Sequence, residues 1–429
     1  MAYGTGDIPF VRTSDISNWE IKTIPKQGVS KEIYDTYKRK QNVQSGDILL
    51  VKDGTYLIGT NCIITDLDTP MMFQSHILKI RIITPQKINP LLFFLSLNSP
   101  IVQQQVRNIQ FTADIIDTIG RRYRELILPI PKSQNVKEEL YRKLKNALDE
   151  RILCKAAIKQ FPVLMESLLR TGNPKFFQEF MQKSVKEVKD DLVQDTTALE
   201  FGPTVNFQIR SDKLINNIFL PKYYDPTIAR ELSDLEQTCD LISINDLLMM
   251  GKIEISTGDE IGKMAYGTGD IPFIRTSDFS NWEIKCDAKQ GVSQDIFDQY
   301  SQREDVQALD ILLVRDGTYL VGASCLVTEE DSKMLYCGGL LKIRSLDADY
   351  LHPYLLLGLL NSYIVKRQIR TKQFTRDVID TLGKRFLEIV LPIPKSSDVK
   401  SSIVSEIEEI VTSRTAAKMV IKELSEQIC

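Results

Sequence analysis

The chain has 429 residues, 43% of them hydrophobic and 26% charged, with a formal net charge of −3, and that length accommodates about two or three domains. An acidic balance argues against a protein that coats nucleic acid indiscriminately, although it says nothing about a local basic surface. No apolar run reaches the ~20 residues of a membrane span, and the start lacks the basic-then-apolar order of a signal peptide, so no membrane partner and a cytoplasmic location are expected.

The opening stretch MAYGTGDIPFVRTSDISNWEIK, Met1 to Lys22, returns as MAYGTGDIPFIRTSDFSNWEIK at Met264 to Lys285, 263 residues later. At this offset Met1 to Lys132 and Met264 to Lys395 align without a gap, with roughly 55% identical pairs. The period is too long for a solenoid unit, and a module of this size can bury its own core. The chain therefore carries two domains with the same surface. Its seven cysteines form no CxxC pair, and the repeat mates Cys62 and Cys325, in NCIIT and SCLVT, are expected as buried thiols. The two histidines, His76 and His352, are not repeat mates, which argues against a His-based metal site or a Ser-His-Asp site shared by both modules.

Short strands dominate each module. Asp47 to Thr60, DILLVKDGTYLIGT, and its mate Asp310 to Ala323 each carry an apolar run, an Asp-Gly step and a second apolar run, which predicts a β-hairpin. HILKIRII follows as a strand, Asn89 to Asn108 as one helix or two short ones, and ELILPIPK, Glu125 to Lys132, as a strand ended by paired prolines. The mixture is α+β. After the prolines both copies turn helical. Ile403, Ile407, Ile410, Ala417, Ile421, Leu424 and Ile428 follow alternating steps of 3 and 4, with Arg414 in the one missing place. Leu140, Leu144, Ala147, Cys154, Ile158, Phe161 and Met165 hold the same places in the first copy, with Arg151 in the same gap. So narrow a stripe suits two long helices packed on each other better than a helix lying on its own module.

Ser167 to Lys263 has no counterpart after the second copy. GNPKFFQEFMQKSVKEVKDDLVQD is charged and helical, and TTALEFGPTVNF is a linker by its Pro, Gly and Thr content. From Asn206 the pattern predicts a strand, NFQIRSDKL, an aromatic-proline turn, LPKYYDP, a helix near Thr227 to Gln237, and then LISINDLLMMGKIEISTGDEIGK running into Met264. This segment belongs to the second module. The first module is expected to lack it, the sequence opening at the residue equivalent to Met264.

Arg12, Thr13, Ser14 and Asn18 precede Trp19, and their mates Arg275, Thr276, Ser277 and Asn281 precede Trp282. Arg can grip guanine or phosphate, Asn can pair with adenine, and Ser and Thr can serve phosphate oxygens. The structural alternative for Ser14 and Asp15 is a turn that organises a loop around a buried Trp. The hairpin tips, with Lys52, Thr55 and Tyr56 in one copy and Arg315, Thr318 and Tyr319 in the other, put a cation, a tight turn and an aromatic at one point, as a β-ribbon entering a major groove would. Asp-Gly alone suffices for a plain turn. Gln110, Thr112, Arg121 and Arg122, with Gln373, Thr375, Lys384 and Arg385, add groups suited to phosphate, a solvated helix face being the alternative.

Catalytic templates mostly fail. GDEIGKM at Gly258 is one residue short of a phosphate loop and has Met where Ser or Thr should bind magnesium, and no amino-methylation motif occurs. Asp15 with Glu20 and Lys22, mirrored by Asp278 with Glu283 and Lys285, could assemble a metal nuclease site, yet WEIK also reads as an edge strand with alternating faces. No catalytic residue and no metal ligand are assigned. A magnesium-dependent nuclease stands as the alternative reading.

With two tandem copies, each a mixed domain followed by a long seam helix, and with GDIPFVRTSDISN, GDILLVKDGTYLIG and LILPIPK at matching places, the chain resembles the specificity subunits of type I restriction-modification systems. The resemblance implies two target-recognition domains that read the halves of a bipartite sequence in double-stranded DNA, on long helices packed as an antiparallel coiled coil that sets their spacing. It implies methyltransferase subunits docked on the helical spacer and a restriction and translocase subunit in the same complex. No catalysis by this chain and no cofactor on it are implied, with S-adenosylmethionine, ATP and magnesium held by the partners. Recognition domains of this family normally begin with a segment like Asn206 to Lys263, a pattern from which the first module departs. A specificity-like component of another phage-defence methylase complex is a further alternative. The expected division is a first recognition domain at 1–133, a spacer helix at 134–170, a linker at 171–205, a second recognition domain at 206–396 and a second spacer helix at 397–429. Because RTSD, DGTY and QFT are unchanged between the copies, the two half-sites are expected to be nearly the same sequence in inverted orientation.

Overall fold

ILLV at Ile48–Val51, and again at Ile311–Val314, places no polar residue among its apolar ones, the pattern of a strand covered on both faces. In the computed structural model all four residues of each copy are buried. The structure describes residues 4, 6–23, 25–54, 56–113, 116–183, 187–188, 205–215, 217–286, 288, 290–317, 320–376 and 379–428. They fall into two units, one drawn mainly from Met1–Ala156 and Thr412–Cys429, the other from Ala157–Lys183 and Leu192–Val411.

In the first unit β1 (Ile8–Val11) leads into a hairpin of β2 (Ile16–Ser17) and β3 (Glu20–Ile21), and β4 (Gly28–Val29) pairs antiparallel with β1. Helix α1 (Lys31–Gln41) starts where Ser30 Oγ accepts from Ile33 N and stops where Asn42 turns left-handed at φ 42°, a conformation Asn tolerates. β5 (Ile48–Val51) lies between β6 (Asn61–Ile63) and, at the other edge, β8 (Ile77–Ile80), while β7 (Met72–Phe73) runs parallel to β1. Asn89 to Asn108 forms two helices, α2 (Pro90–Leu97) and α3 (Pro100–Asn108), because Pro100 offers no N–H to continue the first and fits the first turn of the second. β9 (Phe111–Ala113) and β10 (Ile116–Thr118) make an antiparallel ribbon. Helix α4 (Gln134–Thr171) contributes its residues up to Ala156 to this unit. Leu140, Leu144, Ala147 and Leu148 of α4 share one buried cluster with Ala417, Ile421, Leu424 and Ile428 and with Ile48, Leu50, Phe94 and Leu95 of the module.

The second unit holds α5 (Lys175–Met181), α6 (Pro226–Leu235), β11 (Cys239–Ser243), α7 (Ile244–Met249) and β12 (Ile253–Thr257) ahead of the repeated module. The module follows as β13 (Ile271–Ile274), β14 (Phe279–Ser280), β15 (Glu283–Ile284), β16 (Gln290–Val292), α8 (Gln294–Glu304), β17 (Ile311–Val314), β18 (Asp316–Gly317), β19 (Ser324–Leu326) and β20 (Leu335–Tyr336). It continues with β21 (Leu340–Ser345), α9 (Pro353–Asn361), α10 (Tyr363–Lys372), β22 (Phe374–Arg376), β23 (Ile379–Thr381) and β24 (Val390–Pro394). Helix α11 (Ser397–Gln427) closes the chain and passes its residues from Thr412 onward to the first unit. The main sheet has the order β12-β21-β17-β19, and β11 pairs with β24 over five residues. Each long helix is thus shared between the units, which divides the chain differently from boundaries placed before 134 and 397.

Several expectations are corrected by these pairings. Asp53-Gly54 is not the tip of a two-residue hairpin: β6 begins at Asn61, Asp53 bridges to Thr118, and in the second copy Asp316–Gly317 joins the β22/β23 ribbon as β18. The QFT region is therefore a β-ribbon rather than a helix face. ELILPIPK is a strand only in the second copy, where β11 supplies its partner. NFQIRSDKL is irregular, with a 3-10 turn at Ser211–Lys213 instead of a strand. Cys62 and Cys325 are fully buried, and burial pushes the Cys62 thiol up.

Glu304, at the end of α8, is buried where the first copy has Gln41. Its carboxylate accepts from Tyr336 N at 2.8 Å and from Asp259 N at 3.2 Å, while burial pushes its pKa to about 8 against the pull of those bonds. The folded state thus keeps a proton that the unfolded chain gives up near 4.5, so this carboxyl's contribution to stability is complete below that pH and is lost as pH rises to about 8. Gln at this position needs no proton, and Asp259 N keeps Tyr336 O as a second acceptor. Glu304→Gln is expected to raise the melting temperature at pH 8 by about 2–4 °C and to flatten its decline above pH 5. Parallel pH profiles of the two proteins in calorimetry would contradict this.

Candidate nucleic-acid interface

SDISNWEI folds as β2, a two-residue turn and β3. Asn18 and Trp19 both have positive φ, 47° and 65°, as do Asn281 and Trp282 at 51° and 67°, the geometry of a type I′ turn. A Trp in the left-handed region is strained by about 1–3 kcal/mol and needs outside support. In the first unit Trp19 Nε1 donates to Asn98 Oδ1 at 3.1 Å, and Asn98 exchanges amide bonds with Asn61. In the second, Trp282 meets Phe161 edge-on at 4.8 Å. Asn18 and Asn281 are buried, 6% and 8% exposed, so these two candidates serve the turn rather than the surface.

Immediately upstream, Asp15 caps the loop that carries Arg12, Thr13 and Ser14. Its carboxylate accepts from Arg12 N at 2.9 Å and Lys26 N at 3.4 Å, and Asp278 accepts likewise from Arg275 N at 2.9 Å. Burial raises the pKa of Asp15, partly offset by the Arg12 backbone bond and by Lys22. The half-buried guanidinia of Arg12 and Arg275 meet no hydrogen-bond acceptor among the described residues.

The second loop is anchored by an aspartate. Asp316 Oδ2 accepts from Arg315 Nε and Nη2 at 2.9 and 2.7 Å, and its Oδ1 accepts from Thr381 Oγ1, which in turn accepts from Gly383 N. Arg315 Nη2 also donates to Gly338 O, and among the described residues Nη1 meets no acceptor. The same chain of bonds recurs in the first unit: Lys52 Nζ lies 3.0 Å from Asp53 Oδ2, Thr118 Oγ1 donates to Asp53 Oδ1, and Gly120 N donates to Thr118 Oγ1. Burial works against the Asp53 carboxylate, but the bonds from Thr118, Lys52 and His76 outweigh it and hold its pKa below the usual value. Asp53, Thr118 and their mates lie in stretches the two copies share and were not among the candidates; only their pairing across the ribbon exposes their role.

In the second unit the two loops line one cleft of about 670 Å³, which brings Arg275, Thr276, Ser277 and Arg315 together with Asp316 and Ile379 of the ribbon. Gly339 leaves the floor open: a Cβ there would stand 3.1 Å from Thr276 Cγ2. The first copy has His76 at this position, its Nδ1 3.1 Å from Asp53 Oδ2.

The remaining candidates lie on the ribbon and beyond it. Thr112 and Thr375 donate across the ribbon to Asp117 and Asp380. Gln373 is buried between Arg370 and Asp380, whereas Gln110 is half-buried. Arg121 and Lys384 are exposed, as is Arg122, which pairs with Glu125 at 3.3 Å. Arg385 is held by Lys372 O and Thr381 O and stacks on Phe374 at 3.9 Å. Tyr56 is 47% exposed. Thr55, Thr318 and Tyr319 lie outside the described residues.

The nuclease alternative loses its geometry in the first unit. Glu20 Oε1 lies 2.5 Å from Arg414 Nη2 and 3.4 Å from Arg151 Nη2, both arginines being 2% exposed. Asp15 is engaged as a cap, so the two carboxylates serve separate structural tasks. Lys22 and Lys285 are buried.

No family model matches the sequence, and no curated protein does. Among solved structures, the type I restriction-modification S subunit from M. genitalium matches at 11% identity and a TM-score of 0.33, over 98% of this chain and 89% of that one. The HsdS subunit from Thermoanaerobacter tengcongensis matches at 13% and 0.29, over 99% and 90%. A structure described as the basis of complex assembly and conformational transition of the type I R-M system matches at 14% and 0.30, over 99% and 90%. All three come from type I restriction-modification systems.

The Arg151–Glu20–Arg414 cluster gives a stability test. Removing one member of a buried charge cluster strands the others, whereas replacing the whole set with apolar residues is often neutral or stabilising. Glu20→Ala is expected to destabilise the first unit by about 3–5 kcal/mol, and the triple change Glu20→Leu, Arg151→Leu, Arg414→Leu to recover most of that loss. Equal losses in both variants, measured by denaturant unfolding, would show that the charges themselves are not what the cluster depends on.

Proposed function

We propose that the chain is the DNA-binding specificity subunit of a type I restriction-modification system. Each module reads one half of a bipartite target, and the long helices pack as an antiparallel coiled coil that sets the distance between the halves. The observation that carries this is the cleft of the second module, where Arg275 and Arg315 stand with the hydroxyls of Thr276 and Ser277. The Arg275 guanidinium, without an acceptor among the described residues, and Nη1 of Arg315, the nitrogen left over from its bonds to Asp316 and Gly338, are suited to guanine O6 and N7 or to phosphate, and hydroxyls beside them suit phosphate oxygens. The first module carries the same RTSD and DGTY words, with Lys52 for Arg315.

The chain itself supplies no chemistry in this reading. It directs methyltransferase subunits docked on its helices and a restriction and translocase subunit, and S-adenosylmethionine, ATP and magnesium belong to those partners. The shared words make the two half-sites near-repeats in inverted orientation, while His76 standing where the second module has Gly339 makes them differ at the base that each floor meets.

The test is binding by the chain, together with its methyltransferase partner, to a randomised duplex library followed by titration of the selected site. Arg275→Ala or Arg315→Ala is expected to weaken specific binding by about 1–3 kcal/mol, and to relax one position of the site if the residue reads a base. A loss that is uniform across sequences assigns the residue to phosphate. Unchanged affinity in both variants would contradict the assignment of this cleft to DNA.

A further inference from the structure

The two modules hold three pairs of equivalent residues in one backbone frame. His76 O accepts from Lys52 N at 3.0 Å and from Asp53 N at 3.4 Å, and Gly339 O accepts from Arg315 N and Asp316 N at 2.9 and 3.1 Å. Ile119 N donates to Lys52 O as Leu382 N donates to Arg315 O. Within this frame the aspartate is the same and the other two side chains differ together, Lys52 with His76 in the first module and Arg315 with Gly339 in the second.

The exchange keeps the number of donors on one oxygen unchanged. Asp53 and Asp316 each give Oδ1 to a ribbon threonine, Thr118 or Thr381, which leaves Oδ2 for the neighbouring cation. Asp316 Oδ2 takes two N–H groups from a single side chain, Nε and Nη2 of Arg315. Lys52 brings only one nitrogen to Asp53 Oδ2, at 3.0 Å, and the second donor is His76 Nδ1 at 3.1 Å. A rigid fork on one residue is thus replaced by a point charge and an imidazole on two. Glycine at 339 goes with the arginine, since Oδ2 already has both its donors and a Cβ there would stand 3.1 Å from Thr276 Cγ2.

Each pair leaves a different group for a ligand. Arg315 leaves Nη1, a donor without an acceptor among the described residues. The Asp53 carboxylate can only accept, so His76 Nδ1 carries the hydrogen and Nε2 of the neutral ring presents a lone pair. The His76 side chain is 39% exposed. A donor suits guanine O6 or N7, whereas an acceptor suits the amino group that adenine or cytosine offers in the major groove.

We propose that Lys52 with His76, and Arg315 with Gly339, form one exchangeable two-residue unit that sets a base of each half-site. The second module's pair selects guanine, and the first module's pair selects adenine or cytosine. This rests on the reading of the cleft as the DNA surface, and it makes the two positions inseparable. Changing either residue alone gives the aspartate Oδ2 one donor too many or one too few.

The test is site selection from a randomised duplex library by the full chain with its proposed methyltransferase partner, followed by titration of each selected site. The wild type is compared with Arg315→Lys, Gly339→His, the double variant Arg315→Lys/Gly339→His and the reciprocal Lys52→Arg/His76→Gly. The wild type is expected to select halves that differ at this base. The double variant should place the adenine or cytosine in both halves, and the reciprocal should place guanine in both. Each single change is expected to weaken binding about tenfold, and each double variant to bind its own selected site within about threefold of the wild type, because the two positions couple through one carboxylate. A double variant that still selects the wild-type halves, or that is as weak as the two single losses multiplied, overturns the pair, and the reciprocal decides the same question in the other module should the first variant not fold. A wild-type site whose halves are alike at every position overturns the pair alone. A wild type that selects no site overturns the reading of the cleft, and the pair with it.

Discussion

Glu20 between the guanidinia of Arg151 and Arg414 is the contact from which the first unit's geometry follows. The apolar stripe of each long helix is broken once, and the break is the arginine. A buried polar residue in such a seam permits one register, because any slip strands a charge against hydrocarbon. Glu20 belongs to the module and not to a helix, so the register that satisfies the arginines also fixes the β2/β3 hairpin on them. From there the positions pass along the chain. The hairpin sets Trp19 against Asn98, its first strand begins one residue after Asp15, and the Asp15 cap holds the backbone of Arg12. A guanidinium proposed to read DNA is thus placed by the salt bridges that Glu20 makes with Arg151 and Arg414.

Much of this was legible in the sequence. The repeat shows which loops are equivalent, and the 3-4 stripe marks Leu140, Leu144 and Ala147 on one helix and Ala417, Ile421 and Leu424 on the other as apolar positions; these six share one core cluster. Arg151 and Arg414 were visible as gaps in the stripe, but not their common partner, because a salt bridge over 394 residues of chain has no local signature. The Asp-Gly step was misread for a related reason. Local turn propensity favours a tight hairpin, yet Asp53 is committed through its side chain to Thr118, and that pairing draws the chain away from β5 into the ribbon. ELILPIPK shows the limit in its plainest form: nearly identical sequences are a strand in one module and irregular in the other, since a strand exists only with a neighbour to bond.

The two modules have diverged within a shared frame. At the cleft the anchor is preserved, with cation, Asp, Thr and Gly in the same bonded order, while the floor changes from Gly339 to His76. That is the pattern of a conserved frame with a variable contact, which alters what is recognised without disturbing how the loops are held.

The central claim is that two equivalent readers are held at a fixed separation along DNA. Sequencing the methylome of cells that express this chain with the methyltransferase subunits proposed as its partners addresses it directly. The account predicts a bipartite modified motif whose halves are close to inverted repeats, differing at a base or two, with a constant spacer of about one helical turn between them. A continuous motif without a spacer, or halves with no inverted relation, would contradict it.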